Sequence, residues 1–113
     1  MKNRSGAVLI TGCSTGIGRA TAERLAAAGH TVYATARNES SIEDLADLGC
    51  RTLALDVTDE ASMKAAVDTV VAEEGAVGAL VNNAGYSQSG AIETVAMEDV
   101  RRQFETNVFG LIR

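Results

Sequence analysis

Three glycines near the N-terminus are spaced in a way that suits contact with a large anion. Gly12, Gly16 and Gly18 follow a short apolar segment, residues 7–10, and precede an amphipathic segment that ends at Gly29. This order predicts a strand, a glycine loop and a helix. Glycine permits backbone angles closed to other residues, and a helix start offers unpaired N–H groups to negative charge. The anion that suits this arrangement is a dinucleotide pyrophosphate.

Composition limits the classes of protein that can carry such a site. The chain has 113 residues, enough for one ordinary domain, and a formal net charge of -5 with scattered basic residues. This charge pattern argues against nucleic acid as a partner. No apolar stretch is long enough for a membrane span, and the first apolar run is too short for a signal peptide. We therefore expect a cytoplasmic α/β protein.

Metal chemistry has no candidate residues in this sequence. The two cysteines, Cys13 and Cys50, lack CxxC spacing, and the chain has a single histidine, His30. We expect the cysteines to be reduced, structural thiols. We expect His30, which directly follows a predicted helix end, to be a surface residue.

Alternating apolar patterns predict four strands and four helices. The strands are expected at residues 7–10, 31–36, 51–55 and 79–81. A helix follows each strand, the second opened by a capping box of Ser40 and Glu43 and the third capped by Thr58. This alternation predicts a doubly wound parallel sheet, a Rossmann fold, in its first four βα units, with strand order 3-2-1-4.

An apolar face runs along the last predicted helix to the end of the sequence. It consists of Val100, Phe104, Val108 and Leu111. In a doubly wound sheet a fifth strand covers the outer side of the fourth, so we interpret the chain as truncated before strand five. The apolar edge at residues 79–81 and the helix face would then meet water. We expect the isolated chain to aggregate or to pair through this edge.

Further motifs lie at the ends of the predicted strands. Together with the glycine loop, they are Thr11-Gly12-x-x-x-Gly16-x-Gly18, Leu55-Asp56-Val57-Thr58-Asp59, Asn82-Asn83-Ala84-Gly85 and Asn107. This combination resembles the short-chain dehydrogenase/reductase family, from the first strand to the last helix. The resemblance implies an oxidoreductase, with residues 1–113 as the NAD(P)-binding Rossmann domain in its N-terminal half.

The resemblance also implies a set of cofactor-binding residues. The pyrophosphate would lie against Gly12, Ser14, Thr15, Gly16, Ile17 and Gly18. Asp56 would accept a hydrogen bond from the adenine amino group, with Val57 beside the ring. The ribose on the nicotinamide side would lie near Asn83, Ala84 and Gly85. A structural role stays open for each group: a turn without a ligand, a loop aspartate near a helix start, and asparagines that tie strands together.

The end of the second strand bears on the choice between NAD and NADP. An NAD enzyme places an acidic residue there, where this chain has Ala36. Arg37 follows and suits a 2′-phosphate, so NADP(H) is favoured over NAD(H). Two observations oppose this choice: residues 13–15 contain no second basic residue, and Glu39 is near enough in sequence to bind a ribose. The alternative for Arg37 is a solvated surface residue.

The chemistry implied by the resemblance is hydride transfer between NADP(H) and a secondary alcohol, ketone or aldehyde. A tyrosine with a lysine four residues later would supply the proton, and neither Tyr33 nor Tyr86 has that lysine. Of the family's catalytic set only Asn107 is present, where it would kink the helix and hold a water in the proton relay. Residues 86–88 would lie at the mouth of the substrate cleft, with a mobile surface loop as the alternative. We predict no turnover by residues 1–113 alone.

Two classes of function stay open at this point. The first is an oxidoreductase for a small-molecule carbonyl or alcohol, which we expect to be a homo-oligomer when full length. The second is a non-catalytic nucleotide-binding or interaction module, naturally short and completed by a partner strand. A serine-bearing strand and a Tyr-x-x-x-Lys sequence after Arg113 would favour the enzyme, whereas a stop codon there would favour the module.

Overall fold

The protein alternates strands and helices, as a computed structural model shows for residues 5–113. In chain order the elements are β1 (Val8–Ile10), α1 (Gly16–Ala27), β2 (Val32–Ala36), a 3-10 turn (Glu39–Ile42), α2 (Glu43–Ala46), β3 (Arg51–Ala54), α3 (Glu60–Glu74), β4 (Ala79–Val81), a second 3-10 turn (Ile92–Thr94), α4 (Met97–Phe104) and a π-helix (Glu105–Gly110) that continues α4. The strands are parallel and lie in the order β3-β2-β1-β4. This order confirms the predicted doubly wound sheet.

β1 occupies the interior of the sheet, between β2 and β4. Val8 of β1 is in register with Val32 of β2 and with Ala79 of β4. Because all four strands run in the same direction, their C-terminal ends meet at one edge of the sheet, where open α/β sheets bind ligands. The glycine loop and the segments after β2, β3 and β4 therefore lie at the same edge.

The apolar core lies on both faces of the sheet. Val8 and Ile10 belong to a buried cluster with Ala22 of α1, whereas Leu9 belongs to a second cluster with Val70 of α3. Strands that are covered on both faces need apolar residues at successive positions. This is why the first strand appears in the sequence as an unbroken apolar run.

Both cysteines are free and buried in the first of these clusters. Burial raises the pKa of the Cys13 and Cys50 thiols, which keeps them protonated at neutral pH. The prediction of structural thiols is therefore confirmed, and His30 is exposed as expected. Residues 5–113 contain no cluster of three or more His, Cys, Asp or Glu side chains suited to a metal ion. No helix in this range has the length and apolar character needed to cross a bilayer.

Two helix starts differ from the predictions. The first 3-10 turn is capped by Asn38, whose side-chain oxygen accepts the N–H of Ser40, so the capping box of Ser40 and Glu43 was wrong. Helix α3 is capped by Asp59, whose carboxylate accepts two backbone N–H groups, and not by Thr58. In both cases the cap is an Asn or Asp oxygen that reaches a backbone N–H two residues ahead, a strong local competitor for hydroxyl caps.

Apolar side chains are exposed on β4 and on the last helix. Leu80 is 54% exposed and Phe104 is 51% exposed, and Val108 and Leu111 are also largely accessible. The expectation that this strand edge and this helix face meet water is confirmed for these residues, whereas Val81 of the edge and Val100 of the face are half-buried. The self-association inferred from these surfaces stays a prediction.

Tyr33 should make the stability of the protein fall at high pH. The residue is 1% exposed, its hydroxyl donates to Glu73 of α3, and Arg51 donates to the Tyr33 oxygen at 3.2 Å. The pKa of Tyr33 is raised to about 12 from its ordinary 10.0. Burial is the larger cause, and the hydrogen bond to Glu73 is the second. Between these values the unfolded state loses its proton first, so the free energy of unfolding decreases as pH rises.

Denaturant titrations of the wild type and of Tyr33→Phe through this alkaline range would measure the effect. The wild type should lose stability with pH more steeply than the variant, because phenylalanine cannot ionise. Parallel pH profiles would contradict the prediction.

Candidate functional site

A cleft of about 810 Å³ opens at the C-terminal edge of the sheet. Most of the predicted cofactor-binding residues line it: Gly12, Ser14, Thr15, Gly16, Ile17, Arg37, Asp56, Val57, Asn83, Ala84 and Gly85. A smaller cavity of about 360 Å³ is formed by Ser14, Ala36, Arg37, Asn38 and Ser41. Ser14, Ala36 and Arg37 line both cavities, so the two adjoin.

The glycine loop has the geometry of an anion-binding turn. Gly12 and Gly16 have φ angles of +72° and +63°, which other residues rarely adopt. A Cβ on Gly16 would meet no atom within 4 Å, so the space beside this residue is open. Helix α1 begins at Gly16, and Thr15 makes no side-chain capping hydrogen bond. The first N–H groups of α1 are therefore available to a phosphate, and this part of the site fits a dinucleotide.

Gly18 does not line the cleft but lies under the loop. A Cβ at this position would lie 2.3 Å from both the Asn83 Nδ2 and the Gly12 carbonyl oxygen. The same Asn83 Nδ2 donates to that carbonyl at 3.0 Å. Only glycine allows α1 to approach the loop and the segment after β4 this closely.

Thr11 connects β1 to the segment after β4. Its Oγ1 accepts the N–H of Asn83 at 3.0 Å and the N–H of Ala84 at 2.9 Å, and the residue is buried. Asn83 therefore has the strand-tying role that the sequence left open, and it lines the cleft as well. Thr11 was quoted in the motif without a role. The role of Thr11 could have been inferred because a single hydroxyl at the end of a buried strand requires a hydrogen-bond partner.

Asp56 is an ionised acceptor in the cleft. Its Oδ1 accepts the Thr58 hydroxyl at 2.7 Å and the Thr58 N–H at 2.9 Å. These two hydrogen bonds, with a smaller contribution from the positive charge of Arg37, hold the pKa of Asp56 below its usual range. Because both hydrogen bonds use Oδ1, the second oxygen can accept a hydrogen bond from a ligand.

Glu39, the other acidic candidate near the end of β2, is hydrogen-bonded outside the site. Its carboxylate accepts the hydroxyl of Thr52 on β3 at 3.2 Å. Glu39 lines neither cavity, whereas Arg37 lines both. The charge that the end of β2 presents to the cleft is therefore positive.

Asn107 lies in the π-helix and does not line the cleft. Its Oδ1 accepts the Tyr86 N–H at 3.0 Å, and its Nδ2 donates to the Tyr86 carbonyl at 2.7 Å. The predicted kink coincides with this change from α to π geometry, a deviation that is frequent at functional sites. Asn107 thus contacts the cleft through Tyr86, which lines it.

Some cleft residues were not predicted. Tyr86 and Gln88 line it, as expected for the cleft mouth, but Leu55, Thr58, Arg102 and Thr106 had not been assigned to the site. Leu55 and Thr58 flank the predicted Asp56–Val57 pair, so their positions in the sequence could have indicated them. Arg102 and Thr106 are separated by one helical turn, and Thr106 directly precedes Asn107. The sequence offered no signal for these two, because Asn107 itself does not line the cleft.

Comparison with known proteins decides the family. The model of the short chain dehydrogenase family matches residues 6–113. The chain belongs to the short-chain dehydrogenase family. The chain is 41% identical over 105 residues to the 3-ketodihydrosphingosine reductase of Bacteroides thetaiotaomicron, covering 93% of the chain and 38% of that relative.

Two further proteins resemble this chain. An NADPH-dependent 1-acyldihydroxyacetone phosphate reductase of Schizosaccharomyces pombe is 41% identical over 108 residues, covering 94% of the chain and 36% of the relative. The crystal structure of a 3-ketoacyl-(acyl-carrier-protein) reductase from Brucella melitensis, complexed with NADH, has a TM-score of 0.88 at 32% identity, covering 96% of the chain and 47% of that structure. The chain thus spans less than half the length of each of these proteins.

Thr11→Val should destabilise the protein by about 2 kcal/mol or more, because two backbone N–H groups lose their acceptor while the side-chain volume is kept. Thr11→Ser retains the hydroxyl and is the matched control. The free energy of unfolding from denaturant titration measures both effects. The assignment is wrong if serine and valine cost the same.

Proposed function

We propose that the full-length protein is an oxidoreductase that transfers a hydride between NADP(H) and a secondary alcohol, ketone or aldehyde. Residues 1–113 would form its NAD(P)-binding Rossmann domain. The observation that carries this proposal is the single cleft that joins the open start of α1 at Gly16 to the segments after β2, β3 and β4. Membership of the short-chain dehydrogenase family supports it.

Each part of the cleft suits one part of a dinucleotide. The loop from Gly12 to Gly18 would hold the pyrophosphate, and Asp56 with Val57 would hold the adenine. The residues that would hold the ribose on the nicotinamide side are Asn83, Ala84 and Gly85. When bound, the cofactor supplies or accepts the hydride.

Arg37 supports NADP(H) over NAD(H). The cavity of about 360 Å³ that adjoins the main cleft has Arg37 in its wall together with the hydroxyl residues Ser14 and Ser41. A guanidinium with nearby donors suits a phosphate group. Glu39, which would favour an unphosphorylated ribose, is hydrogen-bonded to Thr52. Both cofactors occur in the names of similar proteins, NADPH for the Schizosaccharomyces pombe reductase and NADH for the Brucella melitensis structure.

Asn107 would act on the chemistry through the backbone of Tyr86. Its side chain holds both the N–H and the carbonyl of Tyr86, and this segment would lie beside the nicotinamide when the cofactor is bound. We further propose that Asn107 holds a water in the proton relay to a lysine outside residues 1–113. These residues contain no Tyr-x-x-x-Lys sequence, so they would not catalyse the reaction alone.

The substrate, location and assembly follow from the same proposal. The substrate would be a small molecule with a carbonyl or alcohol group, and the full-length protein would be a cytoplasmic homo-oligomer. The second candidate function, a non-catalytic module completed by a partner strand, is supported by the exposed edge of β4 at Leu80. The family match favours the enzyme.

Full-length protein should bind NADP(H) and reduce a panel of aldehydes and ketones. The cleft would provide the cofactor site, and the part of the protein outside residues 1–113 would provide the proton donor. Calorimetry measures the binding, and the absorbance of the reduced nicotinamide measures turnover. Residues 1–113 alone are the matched control and should show no turnover. A full-length protein that binds neither nicotinamide dinucleotide would overturn the proposal.

Arg37→Ala should weaken NADP(H) binding by roughly tenfold or more, since a hydrogen bond to a charged group contributes about 1.5–3 kcal/mol. NAD(H) binding should change little. Arg24→Ala is the control, because Arg24 is an exposed arginine of α1 that lines neither cavity. If both cofactors lose affinity equally, Arg37 does not recognise the 2′-phosphate.

A further inference from the structure

Arg102 is a charged residue of the cleft to which the proposed function gives no role. Its side chain is 65% exposed, and its Nη1 donates to the carboxylate of Asp99 at 2.9 Å. Arg102 and Thr106, one helical turn apart, both line the cleft. The guanidinium thus stands at the cleft wall, oriented by an ion pair within its own helix.

One strip of this helix faces the segment after β4. The Gln103 Nε2 donates to the Tyr86 carbonyl at 3.4 Å, and the Asn107 Nδ2 donates to the same oxygen at 2.7 Å. These contacts fix the rotation of the helix about its axis. A neighbouring strip of the helix surface consists of Arg102, Thr106 and Gly110, which are four residues apart. This strip therefore faces a different direction from Gln103 and Asn107.

The contact made by Gly110 shows where that neighbouring strip points. A Cβ on Gly110 would lie 2.8 Å from the carbonyl oxygen of Val57 and 2.9 Å from its Cβ. Gly110 is thus pressed against the segment that follows β3. Thr106 and Arg102 lie four and eight residues before Gly110 on the same strip, and they line the same cleft as Asp56 and Val57.

A guanidinium in the lining of this cleft can contact the face of a planar ring bound beside Asp56 and Val57. Under the proposed function, on which this inference rests, the pyrophosphate lies at Gly16 and the 2′-phosphate at Arg37, so the base enters beside Asp56 and Val57. We propose that Arg102 stacks its guanidinium plane on the adenine ring of the bound dinucleotide, on the face turned away from Val57. Arginine planes stack well on aromatic and base faces.

The ion pair with Asp99 favours stacking over a phosphate contact. A carboxylate at 2.9 Å offsets the charge that Arg102 would offer to a distant anion, but it leaves the faces of the guanidinium plane accessible. It also restricts the side chain before the ligand binds, which lowers the entropy lost on stacking. Arg102 has two alternative ligands, a substrate anion and a cofactor phosphate. The experiment below distinguishes both from the adenine ring.

The experiment measures binding of adenosine 2′,5′-bisphosphate, which carries the adenine without the nicotinamide, to full-length protein by calorimetry. Arg102→Ala should weaken this binding about two- to fivefold, the range for an exposed cation–π contact. Arg101→Ala is the matched control, since Arg101 is the exposed neighbour that does not line the cleft. Nicotinamide mononucleotide should bind equally to all three proteins.

Salt separates stacking from a phosphate contact. If Arg102 stacks on the base, the affinity ratio of wild type to Arg102→Ala should be similar at low and high NaCl. A ratio that approaches one at high salt would indicate a phosphate contact and overturn the inference, as would an Arg102→Ala affinity equal to that of Arg101→Ala. An effect on the substrate KM alone would also overturn it. A wild type that binds no nucleotide would instead refute the proposed function.

Discussion

The site depends on the close approach of the end of β1 to the segment after β4. The buried Thr11 hydroxyl accepts two N–H groups of that segment, and the Asn83 amide donates back to the loop after β1. Gly18 brings α1 against the same atoms because it has no Cβ. Three elements thus meet at one point, and the cleft is the space that remains above them.

The charge in the cleft contrasts with that of the chain. The protein carries a net charge of -5, yet the cleft is lined by two arginines and one carboxylate. The start of α1 adds partial positive charge at Gly16. Arg37 and the start of α1 therefore favour negative charge in this cleft, and the ionised Asp56 beside them can accept a hydrogen bond.

Much of the fold was readable from the sequence because the two inner strands, β1 and β2, are buried along their whole length. The alternation of strands and helices predicted the strand order through the usual doubly wound arrangement, and the loop motifs predicted most of the cleft lining. The caps at Asn38 and Asp59 were missed because several polar side chains near each helix start compete for the same N–H groups. Arg102 and Thr106 were missed because their place depends on how the helix crosses the cleft, which the contact of Gly110 with Val57 determines.

The glycines of the loop divide the site into fixed and adjustable positions. A side chain at Gly12 or Gly18 would collide with backbone or with Asn83, so natural variation and laboratory redesign have little freedom there. Ser14, Asn38 and Ser41 border the smaller cavity, where Asn38 also caps the first 3-10 turn and the Ser41 hydroxyl donates to the Asn38 carbonyl at 2.7 Å. Substitutions intended to change the preference between NAD(H) and NADP(H) would therefore be placed among the residues that line the smaller cavity, and not at Gly12 or Gly18.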